Sequence, residues 1–309
     1  MRKLLILSTT MLACLLLVSC NKEGQYTPKN KIEKVYYSSS SKSEMYQDGA
    51  WNTVYEANSP KYLEEVWNWD GKLLKSISYY NPGGEVSYTE NFEYDGKRLV
   101  AISCGDDDRY VVNYEKRKMS SIDYYNGTEK ELSYEFAHEG GKITKIKIIE
   151  YDGEKGIFHP LSFNVLRFFI PSADKESFVK LIAGISENKN AKGAYTSEVH
   201  LEWDGKNVSK ITYADGSYSS TDEYTYDNKL NPYCGLFYIE EFEMIDVLSK
   251  NNVTQHILNF VDNGDSHHEE RNYEYTYDGK APTMQTCTYT ESIDILRQTY
   301  SYSYYFEYK

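Results

Sequence analysis

Trp69-Asp70-Gly71-Lys72-Leu73-Leu74 returns as Tyr94-Asp95-Gly96-Lys97-Arg98-Leu99 and again as Trp203-Asp204-Gly205-Lys206-Asn207-Val208. An aromatic, an Asp-Gly pair, a cation and the start of an apolar strand recur as one unit. A phrase rewritten in this way marks a repeated supersecondary element. Looser copies fill the register: Tyr114-Glu115-Lys116-Arg117-Lys118-Met119, His138-Glu139-Gly140-Gly141-Lys142-Ile143, Tyr226-Asp227-Asn228-Lys229 and Tyr277-Asp278-Gly279-Lys280. A period of about 20–25 residues holds two strands and two turns.

Asp-Gly and Asn-Gly pairs also stand at 48–49, 126–127, 152–153, 215–216 and 263–264. Such pairs accept the positive φ that tight hairpins demand. Thirty-two tyrosines against seven prolines complete a β composition. The fold expected is all-β: an antiparallel meander of hairpins forming a curved sheet or partly closed barrel, with one or two short helices packed on it.

One feature resists a plain strand. The apolar positions of the repeats pair as Leu74/Ile77, Leu99/Ile102, Met119/Ile122, Ile143/Ile146 and Val208/Ile211, three apart. A regular strand puts such residues on opposite faces. Either a bulge intervenes or both faces are covered.

Two segments break the rhythm. Ala173 to Ile185 spaces Phe178, Leu181, Ile182 and Ile185 as a helix, behind Ser172 as N-cap. Leu236 to Lys250 does the same with Ile239, Phe242 and Leu248, and Asn251-Asn252 is a stop. Phe163 to Ile170 reads as a buried strand. Ile32 to Tyr37 reads as the first strand, with the serines at 38–41 at its end or in a turn. The organisation expected is a leader over 1–19, a tether over 20–31 and one hairpin-repeat domain over 32–309, with a partly helical insertion at about 154–195.

The chain begins as an export signal. Arg2 and Lys3 precede an apolar run from Leu4 to Val18, which ends at Leu17-Val18-Ser19-Cys20. Small residues before a cysteine at that position resemble a bacterial lipobox, which implies cleavage before Cys20 and lipidation of its thiol. Each buried methylene of such a chain contributes about 0.8 kcal/mol, so a multiply acylated Cys20 holds a domain on a membrane. The predicted location is the cell envelope, anchored to the outer membrane.

The full chain carries 34 Lys and Arg against 47 Asp and Glu, a net charge of −13. Loss of Arg2 and Lys3 with the leader leaves 32 cations and a net charge of −15. That balance argues against nucleic acid and against adsorption to anionic lipid. Beyond the leader and Cys20, Cys104, Cys234 and Cys287 remain, an odd set that permits at most one disulfide.

The repeated aromatic-Asp-Gly-Lys phrase, followed by Leu and then Ile, resembles the YD repeats of Rhs-type proteins. With the lipobox, the chain more closely resembles lipoproteins of the Bacteroidetes type whose YD-like hairpins build a porin-like domain of unknown function. The likeness is best over Tyr226-Asp227-Asn228-Lys229-Leu230-Asn231-Pro232, Leu248-Ser249-Lys250-Asn251-Asn252-Val253 and Tyr275-Thr276-Tyr277-Asp278-Gly279. It implies a fold and supplies no catalytic residues. Lys22-Glu23 is similar to the short Lys-acidic signal that sends such lipoproteins to the cell surface. A membrane-spanning barrel needs an apolar outward face, whereas Ser133-Tyr134-Glu135-Phe136 and Ser301-Tyr302-Ser303-Tyr304 alternate Tyr with polar residues. That pattern suits a water-soluble sheet tethered by lipid, with a spanning pore as the alternative.

No Gly-x-Ser-x-Gly elbow, His-Glu-x-x-His helix or phosphate-cradling loop is present. Asp106-Asp107-Asp108 lacks the spacing of a calcium loop and reads as a hairpin tip. His267 and His268 are adjacent, so on a strand they point apart. No catalytic residue, metal ligand or cofactor is therefore assigned. Trp67, Trp69 and Trp203 are the candidate ligand-stacking residues, since Trp and Tyr platforms stack on sugar rings or peptide side chains. The competing reading makes them packing units between hairpins. The function expected is a non-catalytic envelope protein that binds a glycan or another envelope protein, or serves as a scaffold. The alternative is a surface glycan-binding protein or carboxylate-type glycoside hydrolase in polysaccharide uptake.

Overall fold

In the computed structural model, residues 23–105, 107–151, 195–215, 218–236, 248–262, 265–293 and 296–309 are described. The leader, Cys20, the segment 163–170 and the predicted helix at 173–185 lie outside them, as does all but the two ends of the predicted helix at 236–250.

Sixteen strands form one closed antiparallel barrel in which each strand pairs with its neighbours in the chain. They are β1 (Ile32–Gln47), β2 (Ala50–Asp70), β3 (Leu73–Tyr80), β4 (Val86–Asp95), β5 (Arg98–Cys104), β6 (Asp108–Glu115), β7 (Lys118–Asn126) and β8 (Glu129–Glu139). The second half holds β9 (Lys142–Glu150), β10 (Tyr195–Asp204), β11 (Asn207–Asp215), β12 (Tyr218–Leu230), β13 (Asn251–Asp262), β14 (Asp265–Asp278), β15 (Ala281–Ile293) and β16 (Leu296–Tyr308). The meander is as expected, but the sheet closes fully rather than in part. The first and last strands pair from Ile32 with Tyr308 to Met45 with Leu296. Ser38 to Ser41 do not end the first strand. They lie mid-strand: all four pair with β16, and Ser39 to Ser41 pair with β2 as well, Ser38 being the extra residue of a register shift on that side.

The three-residue spacing is a bulge. In β3, Leu74 pairs with Trp69 and Ser76 with Asn68, which leaves Lys75 as an extra residue. Val100, Ser120, Thr144, Ser209, Thr254 and Thr283 are the extra residues at the same place in the other hairpins. One inserted residue returns position i+3 to the face of position i. Leu74 and Ile77 are accordingly both fully buried, as are Met119 and Ile122.

The interior-facing residues join in a single apolar cluster that includes Leu74, Ile77, Leu99, Ile102, Ile143, Ile146, Leu201 and Phe306. Each such side chain contributes about 1.5–3 kcal/mol on burial. The outward face is polar. Hydroxyls pair across strands (Ser78 with Thr89 at 3.0 Å, Thr286 with Ser303 at 2.9 Å), and ions pair beside them (Arg109 with Glu93 at 2.8 Å, Lys145 with Glu198 at 3.2 Å). A barrel that crosses a bilayer turns an apolar band outward. The described outward face carries no such band.

Beyond Glu65, which pairs with Tyr79, β2 has no partner on the β3 side among the described residues. Its outer stretch carries Pro60 and Lys61. Proline offers no donor and lysine resists docking, two devices that keep an open edge from recruiting another chain.

Candidate functional site

Every repeated aromatic-Asp-Gly turn follows an even-numbered strand, so the meander gathers all of them at one end of the barrel. We call it the repeat end. Gly71, Gly96, Gly205 and Gly279 have φ between 54° and 64°, the left-handed conformation that glycine adopts without a Cβ penalty.

In several phrases the opening aromatic reaches sideways to the preceding hairpin. Trp69 donates its indole N–H to the Ile32 carbonyl and Trp203 to the Ile143 carbonyl, both at 2.7 Å. Tyr114 donates to the Leu99 carbonyl at 2.7 Å and Tyr308 to the Pro282 carbonyl at 2.8 Å. Tyr226 donates to the Val208 carbonyl. In three of these joints the residue before the accepting carbonyl also lays a cation over the ring: Lys31 on Trp69, Arg98 on Tyr114 and Lys142 on Trp203, at 5.4, 4.6 and 5.3 Å. Burial pushes the Tyr94, Tyr114 and Tyr308 phenols up from their ordinary values, so these rings remain donors at physiological pH.

This geometry places the three candidate stacking residues. Trp67 and Trp69 come together, with ring centroids 6.3 Å apart, while Trp203 stands apart on β10. Trp67 is only 2% exposed and donates to the Glu65 carboxylate at 2.7 Å. Tyr26 covers the pair from above, 6.3 Å from Trp67 and 5.8 Å from Trp69. Trp67 is thus closed off inside the barrel, while Trp69 and Trp203 stay half-buried and each ties its hairpin to a neighbouring one through its indole N–H.

Tyr26 belongs to the incoming chain. Residues 23–31, expected as a tether, are docked on the repeat end. The Glu23 carboxylate accepts the Met119 amide at 2.5 Å and faces His138 at 3.1 Å. The Gly24 carbonyl accepts the Leu99 amide at 2.9 Å. Tyr26 donates to the Pro232 carbonyl at 2.7 Å, and its phenol is raised well above its ordinary value by burial. Gly24 is dictated by contact as well as conformation. Its φ is +74°, and a Cβ there would lie 1.8 Å from the Tyr114 hydroxyl. The sequence offered no signal for this docking, because 23–31 has neither strand alternation nor a turn pair.

The interior also holds charge. His256 pairs with Asp222 at 2.8 Å under the Tyr224 ring. Arg271 pairs with Glu269 and lies over Tyr289 at 5.1 Å. Tyr79 donates to Glu90 at 3.0 Å. Asp222, Glu269 and Glu90 thus each have a partner that offsets their desolvation. Among the described residues no three His, Cys, Asp or Glu stand close enough to hold a metal ion. The Cys104 thiol points to the Glu90 carboxylate at 4.0 Å, and burial pushes the Cys234 thiol up to about 11.

At the opposite, far end, the β1–β2 hairpin presents aromatics to solvent. Tyr46 and Tyr55 are 47% and 58% exposed. Tyr46 packs on Trp51 at 5.4 Å, and Arg297 covers the Trp51 ring at 4.7 Å. Sequence reading passed over this group because Trp51 stands outside the repeated phrase.

No family model matches the chain, and no curated protein matches it. Similar solved structures include a porin-like protein from Bacteroides uniformis ATCC 8492, at 12% identity over 90% of this chain and 98% of that one, with a TM-score of 0.48. Another is a porin-like protein from Bacteroides vulgatus ATCC 8482, at 10% identity over 91% of this chain and 99% of that one, with a TM-score of 0.27. The barrel described above rests on its own strand register and not on these likenesses.

Proposed function

We propose that the protein is a lipid-anchored, non-catalytic barrel of the bacterial cell envelope that serves as a binding or scaffold module. The observation that carries this reading is the sense of the wall, polar outside and apolar inside. Such a barrel needs an attachment other than its strands to stay at a membrane, and the sequence offers one at Cys20. Cys20→Ser should abolish incorporation of labelled fatty acid and, with membranes washed at high salt, move the protein from the membrane fraction to the soluble fraction. A variant that still sediments with membranes and still takes up label overturns the anchor.

A glycan-binding role finds its support at the far end. Tyr46 and Trp51 offer aromatic faces beside Asn52 and Arg297, and such rings stack on sugars at low entropic cost. A glycan array probed with the protein and with Trp51→Ala tests it. Binding that survives Trp51→Ala assigns the sugar to another surface.

A further inference from the structure

We infer that the repeat end is a lipid-facing surface, and that the barrel stands with this end against the anionic headgroups of the bilayer that holds Cys20. The proposal rests on the anchor reading above and adds to it an orientation and a contact.

Two independent observations carry it. The first is reach. Glu23 is fixed to the barrel through Met119 and His138, and only Asn21 and Lys22 separate it from Cys20. Three residue steps span at most about 11 Å, so the lipid lies close to the repeat end.

The second is charge. The net charge of the chain is acidic, but the two ends of the barrel differ. The six tight turns at the repeat end (70–73, 95–98, 115–118, 139–142, 204–207 and 278–281) hold nine Lys or Arg against six Asp or Glu. Lys29, Lys31, Lys250 and Lys309 stand beside them. The seven short connections at the far end (47–50, 80–86, 104–108, 126–129, 215–218, 262–265 and 293–296) hold ten acids and no Lys or Arg. An anionic surface attracts the first set, repels the second, and acts within about one Debye length of roughly 8 Å. The opposition of the two ends sets the barrel upright. Net charge alone, which argues against anionic lipid, misses this because it averages the ends. The β12–β13 connection adds Glu240, Glu241, Glu243 and Asp246 in sequence to the repeat end, and the long β9–β10 connection adds six Lys or Arg and five acids in sequence to the far end, so the whole processed chain is the right test object.

The test is vesicle sedimentation of the processed chain carrying Cys20→Ser, which removes the lipid and leaves the surface. It should bind vesicles containing about 30% phosphatidylglycerol, bind pure phosphatidylcholine weakly, and release as salt is raised. Neutralising the exposed Lys72, Lys97 and Lys206 to Gln should weaken binding by about fivefold per lysine. Gln47→Glu, Ala50→Glu and Thr128→Glu at the far end make the same change in net charge and should leave binding as it was. No binding to anionic vesicles at low salt overturns the proposal. So does an equal loss from both triple variants, which would mean that net charge alone governs. The anchor is read separately, by fatty-acid labelling of the protein with Cys20 intact. A labelled protein that fails the vesicle test keeps the anchor and loses the orientation.

Discussion

Lys116 occupies the place that glycine holds in its sister turns, and replacing it should stabilise the barrel. Its φ is +60°, beside +64° at Gly96 and +57° at Gly205. An L-residue with a Cβ costs about 1–2 kcal/mol in that conformation. Glycine removes this strain but gives back about 0.4–1 kcal/mol through the greater freedom of its unfolded chain. Lys116→Gly should therefore gain about 0.5–1 kcal/mol. The reverse change, Gly96→Lys, should lose a similar amount, since nothing lies within 4 Å of a Cβ at Gly96 and only the backbone is strained. Lys116→Ala controls for charge, because it removes the cation and keeps the Cβ. Urea unfolding at constant m reads the result. With m of about 3 kcal/mol/M for a chain of this size, the midpoint should rise by about 0.2–0.3 M for Lys116→Gly and stay near wild type for Lys116→Ala. A Lys116→Gly midpoint at or below wild type, with Gly96→Lys neutral, would refute the idea that these corners are held in a left-handed backbone.

Gly24→Ala should undock the incoming chain, because its methyl collides with the Tyr114 hydroxyl; hydrogen exchange at the Leu99 amide, which donates to Gly24, should accelerate while distant strands stay protected. Trp203→Phe keeps the ring and removes the bond to the Ile143 carbonyl, leaving a partly buried acceptor unpaired at about 1–2 kcal/mol, measurable as a lowered unfolding midpoint. The Glu44 carboxyl is held below its ordinary value by hydrogen bonds from Lys42 and then Arg297. The stability it contributes is therefore present above pH about 4.5 and lost as pH falls through the lowered value. Arg297→Gln should flatten that acid limb in unfolding midpoints taken from neutral to acid pH.

The sequence made the unit legible and hid its surroundings. Tight corners at Gly71, Gly96 and Gly205 could be read because a positive φ restricts residue choice to a few types. The spacing of Leu74 and Ile77 announced an irregularity without naming it. A bulge and a doubly covered strand write the same letters, and only the register against β2 separates them. The fate of Trp67, Trp69 and Trp203 was illegible for a related reason. An indole that stacks on a sugar and one that donates to the next hairpin's carbonyl look alike until the neighbour is placed. Full closure was hidden most deeply, since it depends on two strands at opposite ends of the chain.

That closure is the repeat itself, cut open. Where β16 meets β1, Tyr308 pairs with Ile32 and Glu307 with Lys34, so Glu33 is the extra residue of an eighth bulge. Ile32 and Val35, three apart, are both 0% exposed, like Leu74 and Ile77. Lys31 covers Trp69, and the Ile32 carbonyl accepts its indole, as Lys142 and Ile143 do for Trp203. No turn joins Tyr308 to Ile32; the Lys309 amide bonds the Lys31 carbonyl there at 2.9 Å. Bringing those ends together costs more entropy than closing a hairpin, but the cost grows only by about 0.6 kcal/mol per doubling of loop length. Roughly four doublings separate one hairpin from the whole ring, or about 2–3 kcal/mol. Burial of Ile32 and Val35, at about 1.5–3 kcal/mol each, offsets it. Cutting the ring at a repeat turn has a further consequence: the incoming chain reaches the barrel at its own seam. A pull on that chain would act first on β1, the strand that seals the ring. Glu23, Gly24 and Tyr26 take the load before it arrives, through contacts with Met119, Leu99 and Pro232 on three other parts of the repeat end.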